Sequence, residues 1–112
     1  MTDLTELNKL EQYLKDHNIE YERFDEDEGI HPSFKYIRTK FGRHQICVPN
    51  DKDREWDAIC QFGSYGHNSG LLEIMGSIVR ADSGDSVEGY LTADDVIERI
   101  EKRNKNESNM RD

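Results

Sequence analysis

The segment WDAICQFGSYGHNSGLLEIMGSIV, residues 56–79, predicts two strands and the loop that joins them. Apolar and polar residues alternate at its start, and alternate residues of a strand point to the same face. One face of the first strand therefore carries four apolar side chains, those of Trp56, Ala58, Cys60 and Phe62. In the second strand Leu72, Ile74 and Ile78 share a face. The glycine- and serine-rich run between the strands is the candidate functional loop.

Further strand patterns lie on both sides of this segment. HQICV (44–48) predicts a strand with Ile46 and Val48 on one face. IEYERF (19–24) predicts an earlier strand, and SVEGYL (86–91) predicts a later one. Residues 33–49 leave two alternatives, an irregular loop followed by a strand or a hairpin that turns near Phe41-Gly42.

Leucines recur at helical spacing near the start of the chain and predict an amphipathic helix. They are Leu4, Leu7, Leu10 and Leu14. Asp3 and Glu6 resemble a capping pair for this helix, and Asn18 favours its termination near His17. Thr92 and Asp95 predict a capping box at the start of a second helix. The apolar stripe of that helix comprises Val96, Ile97 and Ile100.

These elements predict an α+β fold with a single small domain over residues 1–101. An antiparallel sheet of three to five strands is flanked by an N-terminal and a C-terminal helix. Residues 102–112 are polar and lack periodicity, so we expect a C-terminal tail that frays.

The net charge of −9 over 112 residues is unevenly distributed. Residues 1–28 carry ten acids and three bases, whereas residues 29–48 carry four bases and no acid. Residues 49–101 carry twelve acids and four bases. A surface of this sign repels phosphates, which disfavours direct nucleic-acid binding and suits a basic protein partner.

The sequence contains no apolar run long enough for a membrane span and no secretory leader, so we expect no membrane association and a cytoplasmic location. Cys47 and Cys60 fall in predicted strands without CxxC spacing. Reduced, buried thiols are the favoured interpretation, because free cysteine commonly behaves as a small apolar core residue.

The loop GSYGHNSG (63–70) supports two functional interpretations. A phosphate cradle normally opens a helix and is accompanied by a cation, but this loop joins strands and contains neither lysine nor arginine. Its glycines instead favour left-handed turns that shape the connection. Tyr65, His67 and Asn68 then offer an adaptable surface for contact with a protein.

Six carboxylates in residues 20–28 form the most acidic run of the chain. A solvated edge that discourages strand pairing is the simpler explanation. The functional alternative is DNA mimicry, because alternate strand residues lie about 6.6 Å apart and would present regular negative charge. Its candidate contact residues are Glu20, Glu22, Asp25 and Glu26. The basic residues Lys35, Arg38, Lys40 and Arg43 are interpreted as counterions for these acids.

No pattern in the sequence predicts a catalytic residue, a metal site or a cofactor. Histidine and cysteine lack the spacing of known ligand sets, and His44 and Cys47 fall on opposite faces of one strand. His44 and Asp57 could approach across a hairpin, but no nucleophile motif accompanies them. We therefore expect a protein that is not an enzyme.

The stretches RHQICVPND, WDAIC, GSYG, GLLEI and GYLTADDVIERI, within residues 43–101, resemble a family of small uncharacterised proteins from bacteriophages and prophages of Gram-positive bacteria. The resemblance implies an accessory protein that binds a host or phage protein. A more specific form of this hypothesis is that the protein mimics DNA and thereby inhibits a nucleic-acid-handling or defence enzyme. The alternative is a small-ligand or nucleotide-binding module that uses the 63–70 loop. A homodimer through a strand edge or a patch at Tyr90 and Leu91 stays open.

Overall fold

A five-stranded antiparallel sheet and two helices form the fold in this computed structural model. The structure describes residues 3–26, 29–30, 38–39, 42–61, 63–80 and 86–110. Within these ranges, only the backbone is described for residues 29–30, 38–39 and 106–110. The helices are α1 (Thr5–Asp16) and α2 (Ala93–Met110). The strands are β1 (Glu22–Glu26), β2 (Gly29–Ile30), β3 (Arg38–Thr39), β4 (Arg43–Val48), β5 (Trp56–Ile59), β6 (Leu72–Gly76) and β7 (Val87–Leu91).

The sheet order is β1-β4-β5-β6-β7, and every neighbouring pair is antiparallel. The α+β prediction is therefore confirmed, with a helix before the sheet and another after it. β2 and β3 pair with each other in a separate ribbon. The predicted hairpin at Phe41-Gly42 lies partly outside the described residues. Where strands are described, β4 pairs with β1 and β5, not with β3.

Both helices contribute to one apolar core on one face of the sheet. The buried side chains at this face are Leu7, Leu10, Leu14, Ile46, Val48, Trp56, Ala58, Cys60, Leu72, Ile74, Ile78, Leu91, Ala93, Val96 and Ile100. The predicted faces of β4 and β5 are confirmed by this burial. Phe62 lies outside the described residues. Burial of large aliphatic side chains supplies most of the stabilisation of such a fold.

The first predicted strand is displaced along the chain. Asn18 adopts a left-handed conformation with φ of 54°, and the Ile19 amide donates to the Leu14 carbonyl at 2.9 Å. The chain thus reverses immediately after α1, and Ile19 packs against the core at a position that precedes the first strand. Consequently β1 begins at Glu22 rather than at Ile19. The prediction that Asn18 ends the helix is confirmed.

The second helix begins with the predicted capping box. The Asp95 amide donates to Thr92 Oγ1 at 3.2 Å, and the Thr92 amide donates to Asp95 Oδ2 at 3.0 Å. Glu6 does not complete a pair with Asp3. Its Oε1 accepts from the Ala93 amide at 2.8 Å, so α1 caps α2. Helix α2 continues to Met110, into the segment that was predicted as a polar tail.

Replacing Thr92 with alanine is expected to lower the free energy of unfolding by about 1 kcal/mol, because one N-terminal amide of α2 loses its acceptor. Urea unfolding followed by circular dichroism measures the change. An unchanged transition midpoint would contradict a stabilising role for this capping box.

Candidate functional site

The 63–70 loop forms one wall of a groove whose other side is Tyr90 of β7. The groove has a volume of about 320 Å³ and is lined by Gly63, Ser64, Tyr65, Gly66, His67, Asn68, Ser69 and Tyr90. The three predicted contact residues of the loop, Tyr65, His67 and Asn68, therefore lie together. The sequence did not connect Tyr90 with them.

Left-handed glycines give the loop its shape, as predicted. Gly63, Gly66 and Gly70 have φ of 90°, 98° and 70°. Gly66 and Gly70 bracket a short 3-10 helix at His67–Ser69. A side chain at either bracket position would be strained by its backbone conformation and would meet neighbouring atoms. The connection thus depends on glycine at both ends of this turn.

Internal hydrogen bonds hold the loop in one conformation. The Leu71 and Ser69 amides both donate to the Gly66 carbonyl, at 2.9 Å and 3.0 Å. The Ser64 hydroxyl donates to the Gln61 carbonyl at 2.7 Å and accepts from the Gln61 amide at 3.1 Å. The Ser64 hydroxyl therefore stabilises the loop itself.

Strand β7 fixes the position of Tyr65 through its backbone. The Tyr90 amide donates to the Tyr65 carbonyl at 3.3 Å, and the Tyr65 amide donates to Glu73 Oε1 at 3.0 Å. Gly89 lies so close to Tyr65 that a Cβ at residue 89 would overlap the tyrosine Cβ. The loop thus packs directly on the backbone of β7.

Two tyrosine rings dominate the exposed surface of the groove. Tyr65 is 60% exposed and Tyr90 is 66% exposed, and their ring centroids lie 6.4 Å apart at an interplanar angle of 30°. Tyr90 also has φ of 59°, an uncommon left-handed conformation for an aromatic residue. Such a conformation costs roughly 1–3 kcal/mol and is concentrated at functional sites.

The groove carries no lysine or arginine in its described lining. The chain has no such residue between Arg54 and Arg80. Carboxylates instead flank the loop: Glu73 contacts the Tyr65 amide, and a Cβ at Gly70 would lie 2.9 Å from Asp3 Oδ2. A hydrogen bond to the Thr5 amide holds the pKa of Asp3 below its usual value. Asp3 is therefore ionised at neutral pH.

The acidic residues of the predicted mimicry surface have different surroundings. All four are exposed, but Glu20 precedes β1, so it does not continue the strand spacing of Glu22 and Glu26. The structure thus places only Glu22 of the pair Glu20 and Glu22 within a strand, and the mimicry of DNA stays a prediction. Glu22 Oε1 accepts from the Asp51 amide at 3.0 Å.

Asp25 is the member of this set with the strongest internal contacts. Its Oδ1 lies 3.0 Å from His44 Nδ1, and its Oδ2 lies 2.9 Å from Arg23 Nε. Partial burial would raise the pKa of Asp25, but the hydrogen bonds from His44 and Arg23 outweigh it and lower the pKa. The carboxylate therefore fastens β1 to β4 instead of projecting freely.

His44 and Asp57 lie on opposite faces of the sheet, which corrects the approach considered from the sequence. His44 is on the helix side with Asp25, whereas Asp57 accepts from Gln45 Nε2 at 2.6 Å on the other side. Burial raises the pKa of Asp57 despite this hydrogen bond and the nearby Arg54. The pair offers no acid–base dyad.

Both cysteines are free and buried, as predicted. Burial raises the pKa of the Cys47 and Cys60 thiols, so neither is activated as a thiolate. Within the residues that the structure describes, no group of three or more histidine, cysteine, aspartate or glutamate side chains could hold a metal ion.

The basic stretch is described only at its end. Arg43 stacks over the Phe24 ring at 3.7 Å and pairs with Asp51 at 3.4 Å. Among the described residues its ionic partner thus lies in the loop after β4, whereas the acids at 27–28 lie outside the described residues. The side chains of Lys35, Arg38 and Lys40 lie outside the described residues.

Among described residues no helix is long and apolar enough to cross a membrane.

Comparison with known proteins finds no matching family model, no similar curated protein and no similar solved structure. The resemblance to phage proteins thus stays a prediction.

Proposed function

We propose that this protein is a non-enzymatic binding module that holds a segment of another protein in the groove between the 63–70 loop and Tyr90. The observation that carries the proposal is the pair of exposed tyrosine rings, 6.4 Å apart, on a hydrogen-bonded loop. Tyrosine supplies a large contact area at low cost in conformational entropy, and it is enriched at protein-binding hot spots. In the phage setting that the resemblance implies, the segment belongs to a host or phage protein.

The preformed loop supports binding without rearrangement. Gly66 and Gly70 fix the turn, and the Tyr65 backbone is hydrogen-bonded on both sides, to Glu73 and to Tyr90. A surface that is ordered before binding avoids part of the entropy cost of association. The left-handed Tyr90 is consistent with this role, since it keeps an aromatic ring at the groove against the backbone preference.

Removing either ring is expected to weaken peptide binding while leaving the fold intact. The variants are Tyr65→Ala and Tyr90→Asn; asparagine tolerates the left-handed conformation, as Asn18 does in this chain. A library of random displayed peptides is selected on the immobilised protein. We expect enriched peptides that bind the wild type and lose at least about ten-fold in affinity for each variant, the scale of a modest hot spot.

The matched control is Met75→Ala, since Met75 is 47% exposed and lies on β6 outside the groove. Its peptide binding should equal that of the wild type. Selection that yields no peptide, or only peptides that bind the tyrosine variants equally well, would overturn the proposal.

A small molecule is the second candidate occupant. The groove volume of about 320 Å³ falls at the lower end of the range of roughly 300–1,000 Å³ for ligand pockets. Thermal unfolding with a panel of nucleotides tests this alternative, because a ligand specific for the native state raises Tm with its concentration. A nucleotide that raises Tm for the wild type but not for Tyr65→Ala would favour it over a peptide.

A further inference from the structure

We infer that the groove selects an arginine side chain of the bound segment. This inference rests on the proposed function and adds the chemistry of the partner. It combines three features of the described residues: two exposed aromatic rings, carboxylates at both ends of the loop, and no lysine or arginine in the lining.

The rings supply the first part of the recognition. A guanidinium group stacks on the face of tyrosine through cation–π attraction and dispersion, and arginine does so more often than lysine. Tyr65 and Tyr90 are both more than half exposed, so ring surface is available on each. The same chain shows the contact in Arg43, whose guanidinium lies 3.7 Å from the centroid of the Phe24 ring.

Carboxylates supply the second part. Glu73 holds the Tyr65 amide with Oε1, and its Oε2 makes no hydrogen bond to any described residue. Asp3 lies against Gly70 at the other end of the loop. A planar guanidinium can stack on one ring and still direct N–H groups to a carboxylate, which a neutral side chain cannot do.

The net charge of the sequence around the groove is also negative. Residues 49–101, which include the whole groove, carry twelve acids and four bases. Such a field attracts a cationic segment and repels an acidic one or a phosphate. Charge complementarity therefore favours a basic segment over an acidic, neutral or proline-rich one.

The test is a 15N-labelled NMR titration with capped pentapeptides of the sequence Gly-Arg-Gly-Arg-Gly. The control peptide replaces each arginine with citrulline, which keeps the shape and removes the charge. We expect the arginine peptide to shift the amides of Tyr65, Gly66, Asn68 and Tyr90. Its Kd should be about two- to five-fold lower than that of the citrulline peptide, the size of an exposed cation–π contact.

Glu73→Gln separates the charge from the loop structure, because glutamine retains an acceptor for the Tyr65 amide. This variant should lose most of the preference for arginine over citrulline. Equal binding of the two peptides, shifts only outside the groove, no binding of the arginine peptide, or tighter binding of a Gly-Glu-Gly-Glu-Gly peptide would overturn the inference. Library-selected peptides that depend on Tyr65 and Tyr90 but lack arginine would overturn it too, and would leave the proposed function standing.

Discussion

Glu88→Gln is expected to lower the free energy of unfolding by about 3 kcal/mol at neutral pH, because it breaks a buried ion pair. The Glu88 side chain is 7% exposed and lies on the helix side of β7, opposite Ile74. Its Oε2 lies 3.2 Å from Arg99 Nη2 and 3.2 Å from Arg80 Nε. Its Oε1 accepts from the Arg80 amide at 2.7 Å. Glutamine retains an acceptor but leaves the buried Arg99 charge without its main partner.

The loss should depend on pH with a defined sign. Partial burial would raise the pKa of Glu88, but the hydrogen bonds from the Arg80 amide and Arg99 outweigh it and lower the pKa below its ordinary value of 4.5. The native state therefore favours ionised Glu88, and this stability is present above that value and lost as the pH falls through the lower native pKa. The difference between the wild type and Glu88→Gln should shrink in that acidic range.

Glu98→Gln is the matched control for this prediction. Glu98 also contacts Arg99, at 3.3 Å, but its side chain is 61% exposed. A solvated pair of this kind contributes about 0–1 kcal/mol. Urea unfolding of both variants at neutral and acidic pH measures the differences. Equal losses for Glu88→Gln and Glu98→Gln, or a Glu88→Gln loss that grows on acidification, would contradict the assigned role of Glu88.

Gly89→Ala is expected to have the largest effect on the groove without changing a residue that lines it. The added Cβ would overlap the Cβ of Tyr65, so the loop must move away from β7. We expect a loss of about 1–3 kcal/mol in the free energy of unfolding, as in other overpacked sites. Peptide binding should fall about ten-fold or more as the two tyrosine rings separate.

Two variants control for this substitution. Met75→Ala changes an exposed side chain of β6 outside the groove and should leave peptide binding unchanged. The double variant Gly89→Ala with Tyr65→Gly removes the Cβ that alanine would meet. It should recover stability relative to Gly89→Ala, which a double-mutant cycle measures. Wild-type peptide affinity in Gly89→Ala would contradict a groove built on this contact.

Local sequence patterns predicted most of the fold. Alternation placed Ile46, Ala58 and Ile74 on the buried face, and the Thr92 and Asp95 pair marked the start of α2. The predicted start of the first strand at Ile19 was wrong because Asn18 reverses the chain, so Ile19 packs against the core as part of a turn. Periodicity indicates which residues share a face of a strand or helix, but it does not locate the residue at which a turn ends and the strand begins.

The loop side of the candidate site could be predicted, but the contribution of β7 could not. Tyr65, His67 and Asn68 lie within one loop rich in glycine, a recognisable pattern. Tyr90 joins them only through tertiary structure, in which its amide donates to the Tyr65 carbonyl at 3.3 Å. Its positive φ has no local signal, since tyrosine disfavours that conformation. The burial of Glu88 likewise has no local signal, because its partners Arg80 and Arg99 lie eight and eleven residues away along the chain.

The Kd of a library-selected peptide for the wild type, Tyr90→Asn and Met75→Ala tests the groove most directly. Calorimetric titration should give at least about a ten-fold higher Kd for Tyr90→Asn, because the variant keeps the left-handed backbone and removes only the ring. The Kd for Met75→Ala should match that of the wild type. Equal affinity of the wild type and Tyr90→Asn, with both folded, would contradict the assignment of the groove as the protein-binding surface.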